Sequence, residues 1–456
     1  QIPKNKRKSL NLSDNYRGIA LSSIIGKLFD WVVLLSNADE LQTSDHQFGF
    51  KSKHSTVQCT FAVNETVNYY INNDSSVNCM LLDASKAFDR VEYTQLFHLL
   101  WKRHMCPLLV RLLLHMYTNQ TIRVSWCNVT SNFFQTSNGV KQGGVLSPIL
   151  FTVYIDELLS RLKSSGYGCY IGHNFMGAFS YADDIILLAP TRYALEKMLS
   201  ICNDFSKDFQ VQFNPSKCKL LVFNAENVED TSIVFDNITI NKSENENHLG
   251  NHIGSGAGVL NITNSVNQVY YQTNFLLRMF YHCSSDVLYK LFQTYCMSLY
   301  GCQLWDFTSR SIDSVYTTWR KCLRRILKLP NRTHNCLLPI IIDDSPIDCQ
   351  LHKRFLKFIH IVGSSDNECM RLCFQLIRNG SGSVSSKNFN YLCSLYNIDR
   401  QYFQTFSLMK VLNKCHVIHS DETMRTGTFV REMMMLRDLK IDCDNMRDII
   451  TYLCTM

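Results

Sequence analysis

Three aspartates are the residues of this sequence whose types and spacing could do chemistry. Asp183 and Asp184 are adjacent, and Asp83 ends an apolar run much earlier in the chain. Carboxylates set among apolar residues are costly to desolvate unless a positive partner meets them. Mg²⁺ is such a partner, because it binds protein carboxylates together with substrate phosphates. Two such ions would stabilise the attacking 3′-oxygen and the leaving pyrophosphate of an in-line phosphoryl transfer.

The elements that must position these acids are strands. An aromatic-rich run precedes Asp183-Asp184 and a β-branched, apolar run follows it, which predicts strand, tight turn and strand with the acids at the tip. The apolar run before Asp83 predicts a buried strand that brings this acid to a sheet edge. If the strands are neighbours, Asp83 and Asp183 can hold two Mg²⁺ ions jointly. The alternative is a solvated turn, since Asp is a common turn residue.

Phe88 and Asp89 follow Asp83 closely and have a structural interpretation. Phe88 would be a core residue, and Asp89 would cap a helix predicted from about Tyr93 to Arg103.

The loop from His46 to Thr56 combines aromatic residues, a glycine and cations. Glycine permits close backbone approach, and Lys51 and Lys53 could contact phosphate, so this loop could lie against a nucleotide or a template strand.

A second glycine-rich loop, Gly139 to Gly144, presents Lys141 and Gln142. It precedes a helix for which Ser147 is the expected N-cap, running to about Lys163. Most loops of this kind are turns only, but this one also exposes a cation and an amide.

Residues 319–328 predict an amphipathic helix that ends near Pro330. Trp319, Leu323 and Ile326 share one face. A neighbouring stripe carries cations and no acid, which favours contact with a nucleic-acid backbone over a solvated face. Its residues are Arg320, Lys321, Arg324, Arg325 and Lys328.

Other elements follow from periodicity and turn residues. Helices are expected over 21–35, up to about residue 71, over 108–117 and over 195–209, and strands over 210–213 and 220–223. A polar stretch at 224–247 reads as hairpin and loop, and helices dominate from about residue 261.

Length and composition indicate a globular protein of two or three domains, because the chain has 456 residues and 46% hydrophobic content. The net charge of +7 is only mildly basic, so charge clusters must indicate the partners. No apolar run is long enough to span a membrane, and no signal peptide is evident. The abrupt start without Met suggests a fragment.

The nineteen cysteines are scattered, which suggests reduced thiols of an intracellular protein. A zinc site at Cys369-x3-Cys373 and Cys415-His416-x2-His419 is not favoured, because the spacing lacks a clean second pair.

The ordered motifs resemble those of a reverse transcriptase, and are most similar to those of non-LTR (LINE-type) retrotransposons. They cover about residues 1 to 255. In chain order they are Asn15-Tyr16-Arg17-Gly18-Ile19, Gln47-Phe48-Gly49-Phe50-Lys51, Asp83 to Phe88, Gln142-Gly143-Gly144, Tyr181-Ala182-Asp183-Asp184, Asn214 to Lys217 and His248-Leu249-Gly250. Trp319 to Pro330 is similar to a thumb-side segment of LINE proteins.

The resemblance implies an α+β right-hand polymerase with an antiparallel palm sheet, followed by an all-helical C-terminal region. Fingers and palm would occupy residues 1–255, a helical thumb-like region 256–335, and a helical region of unknown role 336–456. The implied partners are an RNA template, a DNA 3′-OH primer and dNTPs, with two Mg²⁺ ions, or Mn²⁺, as cofactors. An element ribonucleoprotein would act in nucleus and cytoplasm, without a membrane, and the oligomeric state is open.

The resemblance also implies roles for individual residues. Asp83, Asp183 and Asp184 match the catalytic acids, and the Ala84 carbonyl falls where the backbone assists a metal. Phe88 matches the aromatic that excludes a 2′-OH. The implied triphosphate and template contacts are Arg17, Lys4, Gln142, Gly143 and Lys217, the last near the leaving pyrophosphate.

Three positions depart from the family pattern. Gly18 replaces the commoner proline, Lys51 stands where arginine is usual, and His248 stands where tyrosine is frequent. These changes affect fine substrate contacts and leave the acids intact.

Two alternatives remain at this point: an RNA-templated RNA polymerase, and a catalytically inactive RNA-binding relic. LINE proteins often carry an upstream endonuclease, which this sequence does not contain.

Overall fold

The chain divides into two units in a computed structural model that describes residues 2–3, 12, 15–126, 128–224, 232–401, 403–404 and 411–415. The first unit contains Gln1–Cys59 and Asn73–Glu244, and the second contains Thr60–Asn72 and Asn245–Met456. The predicted boundaries after residues 255 and 335 stay predictions. Lys4, His416 and His419 lie outside the described residues.

The strands of the described residues are mostly short. They are β1 Ile2–Pro3, β2 Tyr16–Arg17, β3 Val77–Asp83, β4 Thr121–Ile122, β5 Ser125–Trp126, β6 Val129–Thr130, β7 Phe134–Gln135, β8 Tyr170–Ile171, β9 Asn174–Phe175, β10 Ala178–Tyr181, β11 Asp184–Ala189, β12 Lys219–Phe223, β13 Ser232–Phe235, β14 Ile238–Ser243, β15 Asn245–His248 and β16 Asn251–Gly254.

The α-helices of the same residues connect and follow these strands. They are α1 Ile24–Ser36, α2 Thr56–Ile71, α3 Tyr93–Lys102, α4 Pro107–Thr118, α5 Ser147–Ser164, α6 Arg192–Phe209, α7 Ala257–Met279, α8 Ser285–Leu291, α9 Asp313–Ile326, α10 Leu337–Ile342, α11 Ile347–Gly363, α12 Glu368–Arg378 and α13 Val384–Leu395.

A six-stranded sheet in the order β10-β11-β3-β12-β14-β13 forms the centre of the first unit. All neighbouring pairs are antiparallel except β12 with β14, which is parallel. Helices α5 and α6 pack on this sheet. The predicted α+β class, with an antiparallel sheet followed by helices, is confirmed.

The core of the first unit follows from strand alternation. Met80 and Leu82 of β3, together with Ile185 and Leu187 of β11, belong to one buried cluster with the apolar faces of α3, α5 and α6. Because side chains alternate along a strand, the intervening residues face the other side of the sheet.

The second unit is mainly helical. Its hairpin β15–β16 packs on α7, which packs on α9, and α11 to α13 pack in succession. Asn388, fully buried, accepts a hydrogen bond from Phe307 N at 2.9 Å and donates one to Trp305 O at 2.7 Å. Such doubly bonded amides satisfy backbone groups that no secondary structure reaches. None of the described helices combines the length and the apolar character needed to cross a bilayer.

The segment Thr60–Asn72 of α2 belongs to this second unit. The Phe61 ring meets the Phe358 ring edge-on at 5.1 Å, and Asn72 Nδ2 donates to Ser381 O at 2.6 Å. Glu65 is fully buried, and burial raises its pKa to about 7 although Ser383 and Ser385 bond to the carboxylate.

Most predicted elements are confirmed to within a few residues, including α1 to α6, β3 and β12. Three details are wrong. Ser147 is the first residue of α5 and not its N-cap, which is Leu146. The N-cap of α3 is Glu92, so Asp89 does not cap it. The expected strand over 210–213 is only a single bridge between Phe213 and Ala84.

Candidate active site

The two adjacent acids lie where β10 turns into β11. Tyr181 pairs with Asp184 across this hairpin, so the turn consists of Ala182 and Asp183. The predicted strand, tight turn and strand are therefore confirmed. Ala182 has a φ of +60° and is 5% exposed. The left-handed region costs an L-residue about 1–2 kcal/mol, so the surrounding structure must hold this turn.

Asp83 is the last residue of β3, the strand next to β11, and it is directly opposite Asp184. Residues that are directly opposite on antiparallel strands share a face. Since Met80 and Leu82 face the helical core, Asp83 and Asp184 face away from it. The folding of two distant sequence segments into neighbouring strands thus gathers all three acids at one edge of the sheet.

The pKa values of the two turn acids reflect this crowding. Burial raises the pKa of Asp183, and repulsion by Asp83 raises it further, while the Arg17 charge opposes both. Burial together with repulsion by Asp183 and Asp83 raises the pKa of Asp184 to about 6. Like charges at one site disfavour ionisation, so the acids together favour a positive partner.

Lys217 provides one positive partner. Its Nζ donates to Asp83 Oδ2 at 3.0 Å, with 60% of the lysine side chain and 38% of the aspartate side chain exposed. The turn that carries Lys217 is tied to β3, because Asn214 N donates to Asp83 O at 2.8 Å. An ion pair this exposed contributes little to stability. The expected role of Lys217 at the leaving pyrophosphate stays a prediction.

The predicted metal ligands are the three aspartates and the Ala84 carbonyl. Hard oxygen donors are what Mg²⁺ and Mn²⁺ prefer, and the repulsion among the carboxylates is what such a cation would relieve. Within the described residues no three His, Cys, Asp or Glu side chains already converge as a metal-binding group. Carboxylate oxygens suit a divalent cation by type, but the described side chains do not form a ready-made ligand set, so the metal and the individual ligand roles stay predictions.

Phe88 and Arg17 were predicted to contact the incoming nucleotide. Phe88 is half-buried, stacked on Phe151 with ring centroids 4.5 Å apart, and its edge meets Phe50. Arg17 is exposed, and its charge acts on Asp183. Both lie in the first unit, and their roles with nucleotide stay predictions.

The Gly139–Gly144 loop packs against the chain itself. Gln142 O accepts from Ala20 N at 2.7 Å, and a Cβ on Gly143, whose φ is +105°, would stand 3.0 Å from Ala20 O. Gln142 Nε2 donates to Asp89 Oδ1 at 3.1 Å, which is the contact that replaces the expected capping role of Asp89.

The loop lysines have different surroundings. Lys51 Nζ donates to Thr43 O at 2.8 Å and to Ser44 O at 2.6 Å, so it ties its loop to the residues that precede it. Lys53 is exposed with a φ of +61°, and Lys141 is half-buried near Asp30. Their predicted contacts with nucleic acid stay predictions.

Helix α9 carries the predicted basic stripe. Trp319, Leu323 and Ile326 are buried, as expected. Lys321 and Arg325 are exposed, and Arg320 is half-buried.

Two members of the stripe differ from expectation. Arg324 donates to Thr333 O and Asn335 Oδ1, with its shortest bond at 2.6 Å. Lys328 follows the helix end at Ile326 and has a φ of +54°, so it does not extend the helical stripe.

The sequence did not predict the hydrogen bond between Gln47 and the Ala182–Asp183 turn, which is called the acid turn below. Gln47 was grouped with a loop that could face a template, yet its side chain is fully buried and bonds to Ala182 N at 3.0 Å. The signal available in the sequence was a glutamine that is flanked by His46 and Phe48 and is followed two residues later by Gly49.

Comparison with known proteins gives the family. A family described as "Reverse transcriptase (RNA-dependent DNA polymerase)" matches residues 2–253. The R2 Pol polyprotein of Nasonia vitripennis is 34% identical over 142 residues, which is 31% of this chain and 14% of that protein. The RNA-directed DNA polymerase of the mobile element jockey from Drosophila melanogaster is 23% identical over 337 residues, 70% of this chain and 36% of that protein.

The apo telomerase of Candida tropicalis is similar at 13% identity and a TM-score of 0.36, over 86% of this chain and 60% of that one.

The chain belongs to the reverse transcriptase family. Relatives from R2 and jockey elements confirm the predicted resemblance to non-LTR retrotransposon polymerases, and with it the right-hand polymerase class. The chain spans between about one seventh and just over one third of the length of these two relatives.

Proposed function

We propose that this chain extends a DNA 3′-OH primer on an RNA template by two-metal nucleotidyl transfer, as a step of retrotransposition. The observation that carries this proposal is the gathering of Asp83, Asp183 and Asp184 at one end of neighbouring strands, where burial, and after it mutual repulsion, raises the pKa of the turn acids. A carboxylate cluster of this kind gains most from divalent cations that also bind triphosphate.

Asp83, Asp183 and Asp184, with the Ala84 carbonyl, would hold Mg²⁺. When bound, the ions stabilise the charge that develops on the attacking and leaving oxygens. The protein's own part is to keep its carboxylates ionised. A bound cation would offset the repulsion among the carboxylates and so favour their ionised form. The raised pKa of Asp184 would therefore fall when Mg²⁺ binds.

The cations beside the acids suit a triphosphate. Arg17 acts electrostatically on Asp183, so its guanidinium would meet phosphate oxygens next to the acids. Lys217 Nζ, now on Asp83, carries protons that could be donated to pyrophosphate once the acid has another partner.

Phe88 is proposed to favour dNTPs. Its ring is wedged between Phe151 and Phe50, which limits its freedom to move aside for a 2′-OH. RNA and DNA are proposed to contact Lys53, Lys141 and the exposed cations of α9.

Primer extension tests the proposal. The full chain is incubated with a DNA primer on an RNA template, Mg²⁺ and dNTPs, and compared with Asp183→Ala. Asp204→Ala is the matched control, because Asp204 is 67% exposed and pairs only loosely with Lys207 at 3.8 Å. We expect extension by the wild type and the control, and a loss of about 1,000-fold or more in Asp183→Ala.

Two other outcomes would decide for the alternatives. Equal extension by wild type and Asp183→Ala would contradict the two-metal proposal, and no extension by any protein would favour the inactive relic. Replacing dNTPs by rNTPs separates the RNA polymerase alternative. Wild type should reject rNTPs, and Phe88→Val should accept them about 10- to 100-fold better.

A further inference from the structure

The loop around Gln47 extends the edge of the sheet beside the acid turn. Phe48 N donates to Ser180 O at 2.8 Å, and Ser180 N donates to His46 O at 2.9 Å. These bonds make a parallel bridge between Gln47 and Ser180. His46 is anchored in turn by Phe175 O, at 2.8 Å from its Nε2. The backbone of Gln47 is therefore fixed beside β10, and its side chain has little choice of direction.

The carboxamide of Gln47 closes a ring of hydrogen bonds with the turn. Oε1 accepts from Ala182 N at 3.0 Å and from Gly49 N at 2.8 Å. Nε2 donates to Ser180 Oγ at 3.2 Å, and this hydroxyl donates to Ala182 O at 2.8 Å. Each hydrogen bond of the ring pairs a donor with an acceptor, and both the oxygen and the nitrogen of the Gln47 amide are hydrogen-bonded.

This ring satisfies the backbone hydrogen-bonding groups of Ala182, the residue of the hairpin that has a left-handed conformation. Ala182 adopts the left-handed region, and both its N–H and its C=O are bonded by side chains of Gln47 and Ser180. Gln47 and Ser180 are fully buried, where a polar group without a hydrogen bond destabilises the fold. Asp183 follows Ala182 directly, so the backbone direction at Ala182 sets where Asp183 points.

Gly49 leaves room for this contact. A Cβ on Gly49 would stand 2.4 Å from Ala182 N and 3.0 Å from Gln47 Oε1. A separation of 2.4 Å is shorter than a Cβ makes with a non-bonded backbone atom, so a side chain at position 49 would push the turn away. The loop and the acid turn are thus complementary both in their hydrogen bonds and in their shape.

We propose that Gln47, acting with Ser180, is a positioning residue that holds the Ala182–Asp183 turn in the conformation required for the acids to bind metal. The proposal rests on the proposed function of these acids. The Gln47 amide has both an acceptor for two backbone N–H groups and a donor for the Ser180 hydroxyl. An ionised glutamate would lose the donor and add a buried negative charge beside acids that already repel each other.

The test compares Gln47→Ala and Ser180→Ala with Gln58→Ala. Gln58 is the matched control, because it is 3% exposed and its Oε1 accepts from Ser55 N at 2.8 Å, at the start of α2. Three quantities are measured on the full chain: hydrogen exchange of the peptides that contain Gly49 and the Ala182–Asp183 turn, the Mn²⁺ dissociation constant in the absence of nucleotide, and the kinetics of single-nucleotide addition.

We expect Gln47→Ala to speed exchange at Ala182 and Gly49 and to weaken Mn²⁺ binding. Its kcat should fall by about 100-fold with little change in the KM for dNTP, as a misplaced reacting group predicts. Ser180→Ala should act in the same direction. The double variant should lose less than the product of the two single effects, because both side chains act through one ring. Gln58→Ala should change none of these, whatever it does to the melting temperature.

The proposal is overturned if Gln47→Ala and Gln58→Ala behave alike in exchange and Mn²⁺ binding. It is also overturned if only kcat changes, because Gln47 would then act elsewhere than on the turn. Asp183→Ala is assayed in parallel. If that variant extends primers as well as wild type, the proposed function fails, whereas exchange and Mn²⁺ binding still decide whether Gln47 positions the turn.

Discussion

Asp83 and Asp184 stand directly opposite each other on adjacent antiparallel strands, and Asp183 lies beside them in the turn. The adjacent acids are therefore not equivalent. Asp184 is fixed by the β-ladder on the same face as Asp83, whereas Asp183 depends on the conformation of Ala182. Asp183 is also the acid on which the Arg17 charge acts.

Replacing each turn acid by Asn should rank them. We expect Asp183→Asn to lower single-nucleotide incorporation about 100-fold more than Asp184→Asn does. We expect Asp183 to be the direct ligand, because the conformation of Ala182 sets its direction and the Arg17 charge acts on it, and we expect Asp184 to be the more tolerant position. Rates measured at saturating Mg²⁺ and dNTP test this ranking. A milder loss in Asp183→Asn than in Asp184→Asn would contradict it.

Gly143→Ala should impair nucleotide use through a clash with Ala20. The new Cβ would lie 3.0 Å from Ala20 O, at a φ of +105°. Gly166→Ala is the control, because Gly166 also has a positive φ, +78°, with nothing within 4 Å. Both variants bear the left-handed cost of about 1 kcal/mol, but only Gly143→Ala should lower kcat/KM for dNTP, by about 10-fold. Equal losses in the two variants would mean that strain alone matters.

The exposed cations of α9 should set the salt dependence of RNA binding. Removing Lys321 and Arg325 together, as Gln, should reduce the slope of log K against log salt by about 1.4, or 0.7 for each single-strand phosphate contact. Fluorescence anisotropy with labelled RNA at several salt concentrations measures this slope. The control replaces Lys197 and Lys207, two exposed lysines of α6, by Gln. An unchanged slope in the α9 variant would remove this helix from the RNA-binding surface.

Glu65 should make the second unit less stable as the pH rises. Its folded pKa of about 7 lies above the ordinary value of 4.5. The neutral form therefore favours the folded state, and stability is lost between pH 4.5 and 7. The loss is of the order of 3 kcal/mol. Glu65→Gln should remove this part of the pH dependence, which melting curves at pH 5 and pH 8 would show. A variant that melts with an unchanged difference between the two pH values would contradict the assignment.

Sequence periodicity predicted the elements that carry the acids because their signals are local. The apolar run before Asp83 and the two runs around Asp183-Asp184 each indicate strands within a few residues. The sequence could not show that β3 and β11 are neighbours, since this pairing joins distant segments. That pairing is what brings Asp83 to Asp184.

The wrong predictions concern contacts across the chain. Asp89 resembled a helix cap because of its position before α3, but its partner is Gln142, which is 53 residues away. Residues 210–213 have strand composition, yet they run past the end of β3 and make only a single bridge there. Gln47 and Ala182 are 135 residues apart, so no local pattern could indicate their bond.

Helix α2 begins among the residues of the first unit, and from Thr60 onward it belongs with the second. Recombination between elements that exchanged everything after residue 244 would join Thr60–Asn72 of one lineage to the helices of another. The residues from the other lineage would then replace Phe358 as the partner of Phe61 and Ser383 as the partner of Glu65. Complementary residues at these two contacts are therefore a condition that a stable recombinant would have to meet.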